Sequence, residues 1–429
     1  MRKEIILFLP LFCVVVLYFS FVGQSKAENN ESTSVADINF EPSARFRYQQ
    51  VDDTIRGNAI ANTLKLRLSA DWQVNESFLF FTQADYVHGF NDDKYNSIAI
   101  SRPTSPIPET LGGELNQAWV KYSNENDWSV IIGRQSLGLD NERHISSLEF
   151  WQNDQTFDAL TITYNDSTDW DVSYAYISKV NRIFGNDADA ILPPQDIRFE
   201  QNPKRPFLEL GNHSHNSHLF NVKYKPNRFI DLTVYAYLLD NKTATQLSSD
   251  TLGIRIKGEA KPGLVKYGYT AEVAHQSTAS NSAWDFSGYY VFAELSAQYK
   301  SHQIALAHER LGEDKGFAFA TSLGNSHLFL GWADIFSSYL NTDGIRDTFV
   351  TYRGRDAKLR WRVVAHQYDS DSTGTTAGHE LDIEVAYRFD RKWEGTFLYS
   401  RYVAKDGIEG ILASQNDLST WTISLSYNF

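Results

Sequence analysis

The stretch Leu64-Lys65-Leu66-Arg67-Leu68-Ser69-Ala70-Asp71-Trp72-Gln73-Val74 alternates strictly, with an apolar residue at every even position and a polar residue at every odd one. A period of two places all the apolar side chains on one face of a β-strand, whereas no helix can present this pattern as one face. The stretch is also longer than the five or six residues of an average strand, and it suits the roughly 9–11 residues of a tilted membrane crossing. It therefore predicts a strand with one face in lipid rather than a strand of a soluble sandwich.

The same alternation recurs to the end of the chain. It is seen in Phe220 to Tyr224, Ile230 to Leu238, Tyr289 to Tyr299, Leu359 to Ala365 and Leu381 to Phe389. Tight turns such as those at 75–76 and 261–263 interleave with long polar connections. Short turns on one side and long loops on the other are typical of bacterial outer-membrane barrels. The sequence thus predicts an all-β, transmembrane, antiparallel up-and-down β-barrel of eighteen strands, with short periplasmic turns and long extracellular loops.

The eighteen predicted strands are residues 43–52, 62–74, 77–88, 114–123, 128–135, 156–164, 170–178, 217–225, 229–240, 250–259, 264–276, 287–300, 303–312, 346–354, 357–368, 379–390, 393–404 and 418–429. An even number of strands places both ends of the chain on the side of the short turns. The longest predicted loops, 179–216 and 311–345, are the candidate gates.

The last strand has the pattern of a bacterial outer-membrane barrel. Its apolar positions are Trp421, Ile423, Leu425, Tyr427 and Phe429. In such barrels a terminal aromatic residue is read by the barrel assembly machinery, so we expect that machinery to be a partner through Phe429. The pattern predicts the outer membrane of a Gram-negative bacterium as the location, with outer-membrane lipids around the barrel.

The first residues predict a secretory signal peptide. A charged start at 1–4 precedes an apolar run from Ile5 to Val22 and small residues around Ala27. An uncleaved anchor is the alternative, because the run is just long enough to span a bilayer. We therefore expect a signal peptide at 1–27, a short periplasmic segment at 28–42 and the barrel at 43–429.

Composition excludes several classes of protein. A mean hydropathy of −0.40 is too polar for a bundle of membrane-spanning helices. The chain has a single Cys, Cys13, which lies inside the predicted signal peptide, so no thiol chemistry is expected in the mature protein. The formal net charge of −13 argues against nucleic acid as a partner, since phosphate binding needs a basic face.

The polar positions of the strands would line the lumen, which in a barrel of this size holds water. The basic residues predicted to face the lumen from alternation are Arg45, Arg47, Lys65, Arg67, Arg255, Lys358, Arg360 and Arg362. Positive groups facing one another across a narrow aqueous path attract anions, because the low-dielectric wall focuses their field. The alternative is that inward acids such as Asp85, Glu272 and Glu309 pair with them in a network that stiffens the barrel.

Three stretches resemble the alginate export family of outer-membrane channels: residues 133–137 continuing to 155–159, residues 326–336 followed by 344–347, and the opening strand pair around Phe46-Arg47-Tyr48. The resemblance implies an eighteen-stranded barrel with an arginine-rich constriction and loops that fold over or into the pore. By that resemblance Arg134 and Arg143 become pore-lining candidates, and Gly331, Trp332, Asp334 and Asp347 mark a gate motif. An equally weighted alternative is that both arginines pair with carboxylates to hold loops.

No phosphate-binding glycine loop, zinc-binding His-Glu-x-x-His or nucleophile elbow occurs, so we expect no catalytic residues and no cofactor. His213, His215 and His218 lie in one predicted loop, where a solvated cluster is favoured over a metal site. The sequence predicts a channel for small hydrophilic anionic solutes, such as acidic oligo- or polysaccharides, and not an enzyme. A hydrolase with its site at the barrel rim and a receptor or adhesin with a plugged lumen are the alternatives.

Overall fold

Alternating side chains form eighteen antiparallel strands that close into a single barrel. The computed structural model describes residues 38–166, 169–282, 285–337 and 342–429. Each strand pairs with its neighbours in sequence, and the first strand pairs with both the second and the last, in registers such as Phe46 opposite Leu64 and Phe46 opposite Leu425. This closure leaves the eighteen-stranded sheet without an edge, which is the form a sheet must take in lipid. The predicted fold class is confirmed.

The barrel strands, numbered in chain order, are β1 (Ile38–Asp53), β2 (Ala59–Gln73), β3 (Phe78–Gly89), β4 (Gly112–Ser123), β5 (Trp128–Gln135), β6 (Thr156–Asn165), β7 (Trp170–Asn181), β8 (Asn212–Asn227), β9 (Ile230–Leu239), β10 (Ser249–Ala260), β11 (Val265–Thr278), β12 (Ser287–Tyr299), β13 (His302–Leu311), β14 (Ile345–Asp356), β15 (Leu359–Ser370), β16 (Thr376–Arg388), β17 (Trp393–Ala404) and β18 (Leu418–Asn428). A separate hairpin, Glu313–Asp314 with Phe317–Ala318, and three 3₁₀ turns at Phe207–Glu209, Thr245–Leu247 and Leu412–Gln415 lie in the connections. No helix in this described part of the chain is long and apolar enough to cross a membrane.

The two faces of the sheet differ as the alternation predicts. On β10, Leu252 and Ile254 are 61% and 47% exposed on the outer face, whereas Thr251 on the inner face is 4% exposed. Aromatic rings pair on the outer face near the turn side, as in Trp128 with Tyr164, whose ring centroids are 5.0 Å apart. These rings have the position of an interfacial girdle.

Several predicted strand boundaries differ from the structure, and the two largest differences are at the starts of β1 and β8. Strand β1 begins at Ile38 rather than at residue 43, because Ile38 and Phe40 continue the alternation and pair with Trp72 and Ala70 of β2. Strand β8 begins at Asn212 rather than at 217, so His213 lies on a strand. The predicted signal peptide at 1–27 lies outside the described residues.

Short turns join the strands on one side of the barrel, which we call the turn side. On the other side, the loop side, the connections include the long loops 136–155, 182–211 and 312–344. Loops 136–155 and 312–344 fold inward and contact each other: Ser146 donates a backbone hydrogen bond to the Leu323 carbonyl (2.9 Å). Phe150 stacks on His327 with ring centroids 3.7 Å apart. These two loops place side chains inside the lumen.

Candidate functional site

The basic residues of β1 lie on the inner face of the sheet and hold loop 136–155. Arg45 donates from Nε to Gln152 Oε1 (2.9 Å) and from Nη1 to the Glu149 carbonyl (3.0 Å). Arg47 lies 2.6 Å from Glu109 and 4.3 Å above the Phe150 ring, and it also donates to the Phe150 carbonyl. Both arginines are therefore occupied by a loop folded against the wall.

The two basic residues of β2 are likewise paired. Arg67 donates to Asp85 at 2.7 Å and forms a second ion pair with Asp154, and Lys65 lies 3.3 Å from Asp154. Because Asp154 belongs to loop 136–155, these bonds fix the end of that loop to the barrel wall. They match the alternative in which inward acids balance the inward bases.

Arg143 is a buried junction between the two inward loops and the wall. Its side chain is fully buried, and it forms a bidentate pair with Glu309 of β13 at 2.7 and 3.1 Å. It also donates to the Asn325 carbonyl of loop 312–344 (3.3 Å). Tyr290 donates to the same Glu309 carboxylate at 2.8 Å. Arg143 therefore holds loops 136–155 and 312–344 together. This matches the alternative in which the arginine pairs with a carboxylate to hold loops instead of lining the pore.

Residues 331–334 bind the wall through backbone groups. Ala333 donates its N–H to Glu380 (2.8 Å) and Trp332 donates its N–H to Asp382 (3.3 Å), both on β16. Gly331 has φ of +81°, and a Cβ there would lie 2.4 Å from the Tyr368 hydroxyl. Only glycine can hold this position without strain and collision. The motif is thus an ordered inner segment of loop 312–344.

The acidic members of the predicted motif have separate partners. Asp334 accepts from His327 at 3.0 Å within loop 312–344. Asp347 is buried on β14, where it pairs with His366 Nδ1 at 2.8 Å. His366 Nε2 lies 3.6 Å from Asp382, so this imidazole links Asp347 to a carboxylate that holds Trp332.

Four arginines on β14 and β15 form what we call the basic wall: Arg353, Arg355, Arg360 and Arg362. Arg353 is directly opposite Arg362 and Arg355 is directly opposite Arg360, so all four share the inner face of the sheet. They line a cavity of about 520 Å³ that reaches Lys300 and Ser301 of the turn between β12 and β13. The basic wall therefore faces open space at the turn side of the lumen.

Carboxylates offset part of this charge, and Glu294 of β12 is one that acts on Arg353 without forming an ion pair. Arg362 lies 2.9 Å from Glu384, and Arg360 lies 2.8 Å from Glu394. Within the described residues, the guanidinium groups of Arg353 and Arg355 form neither a hydrogen bond nor an ion pair. The Trp332 ring lies 4.4 Å below the guanidinium carbon of Arg362, so loop 312–344 covers the end of the basic wall nearer the loop side. The wall carries more positive than negative charge.

Of three further residues predicted to line the lumen, one faces inward and two do not. Arg255 faces inward and lies 3.6 Å from Glu272. Arg134 shares its face of β5 with Val130 and with Ile132, which is exposed to the outside, so the prediction that Arg134 lines the pore was wrong. It pairs instead with Asp158 on the outer face at 2.7 Å. Lys358 lies in the turn before β15 and donates to the Phe389 carbonyl, so it is not on the lumen wall either.

Sequence reasoning missed Arg353 and Arg355, although a signal was present. On β14, Ile345, Asp347 and Thr351 occupy the odd, inward positions, and continuing that period brings Arg353 and Arg355 to the same face. The partners Gln152 and Asp154 were also missed, because nothing in a loop sequence shows that the loop folds inward.

The three histidines do not form one loop cluster. His213 and His215 are buried on the inner face of β8, whereas His218 faces outward and bonds to the Tyr174 hydroxyl at 2.9 Å. Among the described residues, no three His, Cys, Asp or Glu side chains are placed to hold a metal ion.

A closed transmembrane barrel with a charged lumen and inward-folded loops defines the class of outer-membrane porins. The alginate export family matches residues 36–333, and the chain belongs to that family. It is a channel of the Gram-negative outer membrane and not an enzyme.

Solved structures share the fold at low identity. OccAB2 of Acinetobacter baumannii superposes with a TM-score of 0.70 at 13% identity, over 93% of this chain and 100% of that one. OpdK of Pseudomonas aeruginosa with vanillate gives 0.66 at 11% identity, over 92% and 98%. OccK2 of the same organism, in complex with glucuronate, gives 0.63 at 15% identity over the same shares. No curated protein matches the sequence.

Proposed function

We propose that this channel passes small hydrophilic anions, with carboxylates such as acidic sugars as the favoured class, along the basic wall. One observation carries the proposal: Arg353 and Arg355 face a water-accessible cavity with no carboxylate bound to them among the described residues. A positive wall bordered by low-dielectric protein raises the local concentration of anions. The planar guanidinium group also matches a carboxylate in bidentate geometry.

The cavity along the basic wall is large enough to hold a small solute. Its volume of about 520 Å³ lies within the roughly 300–1,000 Å³ of small-molecule sites. Two structural neighbours were solved with the carboxylates vanillate and glucuronate, which supports carboxylates as the class to test.

The test is the reversal potential of single channels in a planar bilayer under a potassium chloride gradient, followed by competition with glucuronate. We expect chloride preference and a current that glucuronate reduces. Replacing Arg353, Arg355, Arg360 and Arg362 together by Gln is expected to abolish both effects. The control variant, Lys261→Gln with Lys392→Gln, removes charge from exposed turns on the same side of the barrel. Cation preference in the unsubstituted protein would overturn the proposal.

We also propose that Phe429 is read by the barrel assembly machinery. Its side chain is exposed, and its backbone N–H bonds to the Pro42 carbonyl at 3.2 Å where the first and last strands close the barrel. Replacing Phe429 by Ser is expected to reduce the amount of folded protein in the outer membrane, whereas Asn428→Ser is expected to leave it unchanged. Equal amounts of folded protein from both variants would contradict this role.

A further inference from the structure

A group of buried donors lies where loop 182–211 meets β8, apart from the basic wall. His213 is fully buried and His215 nearly so, and both imidazoles are on the inner face of β8 with ring centroids 6.5 Å apart. Arg182 follows β7 directly, and its backbone N–H bonds to the Gly211 carbonyl at 2.7 Å. Strand pairing places Val180 opposite His213 and Asn181 opposite Asn212, so Arg182 lies at the end of β7 beside His213, and its charge acts on both imidazoles.

The neighbours of His213 determine which of its ring nitrogens carries the proton. The side-chain oxygen of Asn241 accepts from the backbone N–H groups of Thr243 and Ala244, at 3.0 and 2.8 Å. The Asn241 amide nitrogen is therefore the atom that faces His213 Nδ1, at 2.9 Å. An amide nitrogen can only donate, so Nδ1 accepts and the proton of the neutral ring lies on Nε2.

The neighbours of His215 also determine which of its ring nitrogens carries the proton. Its Nδ1 lies 3.0 Å from the Ser217 hydroxyl, whose oxygen already accepts from the Asp240 N–H at 2.9 Å. Among the described residues no other group accepts the hydroxyl proton, so it goes to His215 Nδ1, which leaves a proton on Nε2 of this ring too. Both Nε2 atoms are buried without a hydrogen-bond partner. The Phe207 carbonyl faces His213 without completing a bond.

Arg182 adds two more donors and an unbalanced charge. Its Nε and Nη1 atoms are buried without a partner, and its guanidinium group lies 5.3 Å from the Phe184 ring centroid. Burial lowers the pKa of Arg182 to about 10, and among the described residues no carboxylate forms an ion pair with it. The Arg182 side chain as a whole is partly exposed, but donors that are buried without a partner are costly.

We propose that Arg182, His213 and His215 form a binding site for a small inorganic anion that fastens loop 182–211 to the barrel. The site offers four N–H donors and one positive charge, which a halide or a phosphate complements. Ordered water alone would supply acceptors but leave the Arg182 charge unbalanced. A metal ion is disfavoured, because it needs an unprotonated nitrogen and would lie beside a cation.

The direct test is a crystal of the full barrel grown in sodium bromide. We expect an anomalous peak within hydrogen-bond distance of Arg182 and at least one of the two Nε2 atoms. Density there that shows only water, or a bound cation, would overturn the proposal. Replacing bromide by phosphate in a second crystal identifies which anion the site holds.

A solution test uses hydrogen exchange of peptides covering 180–190 and 206–216. At ten times its dissociation constant, bromide that binds only the closed loop slows exchange about tenfold relative to gluconate at equal ionic strength. The slowing is expected to disappear in Arg182→Gln and to persist in Lys179→Gln, which removes a neighbouring positive charge. Equal slowing in both variants, or in a peptide covering turn 261–264, would refute the site.

Discussion

Single residues in the lumen fall into two groups that alternation alone does not separate. Arg45, Arg67 and Arg143 are bound to loop groups or carboxylates, whereas Arg353 and Arg355 face open space. A bidentate carboxylate accepts two of the five N–H donors of a guanidinium and offsets most of its charge, so such an arginine stabilises structure rather than recruiting solute. The contribution of each arginine to conduction therefore depends on its partner and not on its position along the strand.

The buried pair between Arg143 and Glu309 is expected to contribute strongly to the stability of the barrel. Replacing Arg143 by Met leaves Glu309 buried without its counter-charge, and we expect the free energy of unfolding to fall by about 3–5 kcal/mol. Urea unfolding in lipid vesicles, followed by tryptophan fluorescence, measures this change. The double variant Arg143→Met with Glu309→Met is expected to recover much of the loss, since no charge then remains unpaired.

The matched control is the exposed pair between Arg401 and Asp417, 2.9 Å apart. Replacing Arg401 by Met is expected to change stability little, because water screens an exposed pair. If Arg143→Met proved no more destabilising than Arg401→Met, Arg143 would not be the junction described above.

At the scale of elements, strands could be predicted from the sequence and loops could not. The bilayer surrounds every second residue with the same apolar medium, so period two identifies each strand without knowledge of its neighbours. Loop 136–155 is different, because Arg45 and its partner Gln152 are far apart in sequence and meet only after the barrel has closed. Arg134 shows the limit of resemblance: continuing the alternation from Trp128 through Ile132 puts it on the outer face.

Loop 312–344 can be tested with a pair of glycines. Gly331 and Gly316 both have φ of +81°, so Ala substitution causes a similar backbone strain at each. A Cβ at Gly331 would collide with Tyr368 and Glu380, whereas one at Gly316 would meet nothing within 4 Å. We therefore expect Gly331→Ala alone to detach residues 331–334 from the wall and raise the mean single-channel conductance. Identical conductance in the two variants would show that this contact does not limit the current.

At the scale of the whole molecule, the chain carries a net negative charge, yet the basic wall inside the barrel is positive. The formal charge of −13 describes the whole sequence, but a solute in the cavity responds to the nearest groups, since the Debye length is about 8 Å at physiological salt. The basic wall acts within that distance, and acids elsewhere on the barrel are screened. Anion preference should accordingly weaken as the salt concentration is raised towards 1 M, where the Debye length is about 3 Å.

The arrangement of charges also ranks two double variants. Arg353 and Arg355 have no described partner, whereas Arg360 and Arg362 share their field with Glu394 and Glu384. A unit charge about 6 Å from an anion in water contributes about 0.7 kcal/mol, or roughly a threefold change in the permeability ratio. We expect Arg353→Gln with Arg355→Gln to lower the chloride-to-potassium permeability ratio more than Arg360→Gln with Arg362→Gln does.

Reversal potentials in the same salt gradient measure both ratios. Glu384→Gln with Glu394→Gln is expected to raise the ratio, because it frees two guanidinium groups. The reverse order for the two arginine pairs would mean that anions pass along the paired side of the basic wall and that the carboxylates position the arginines rather than neutralise them.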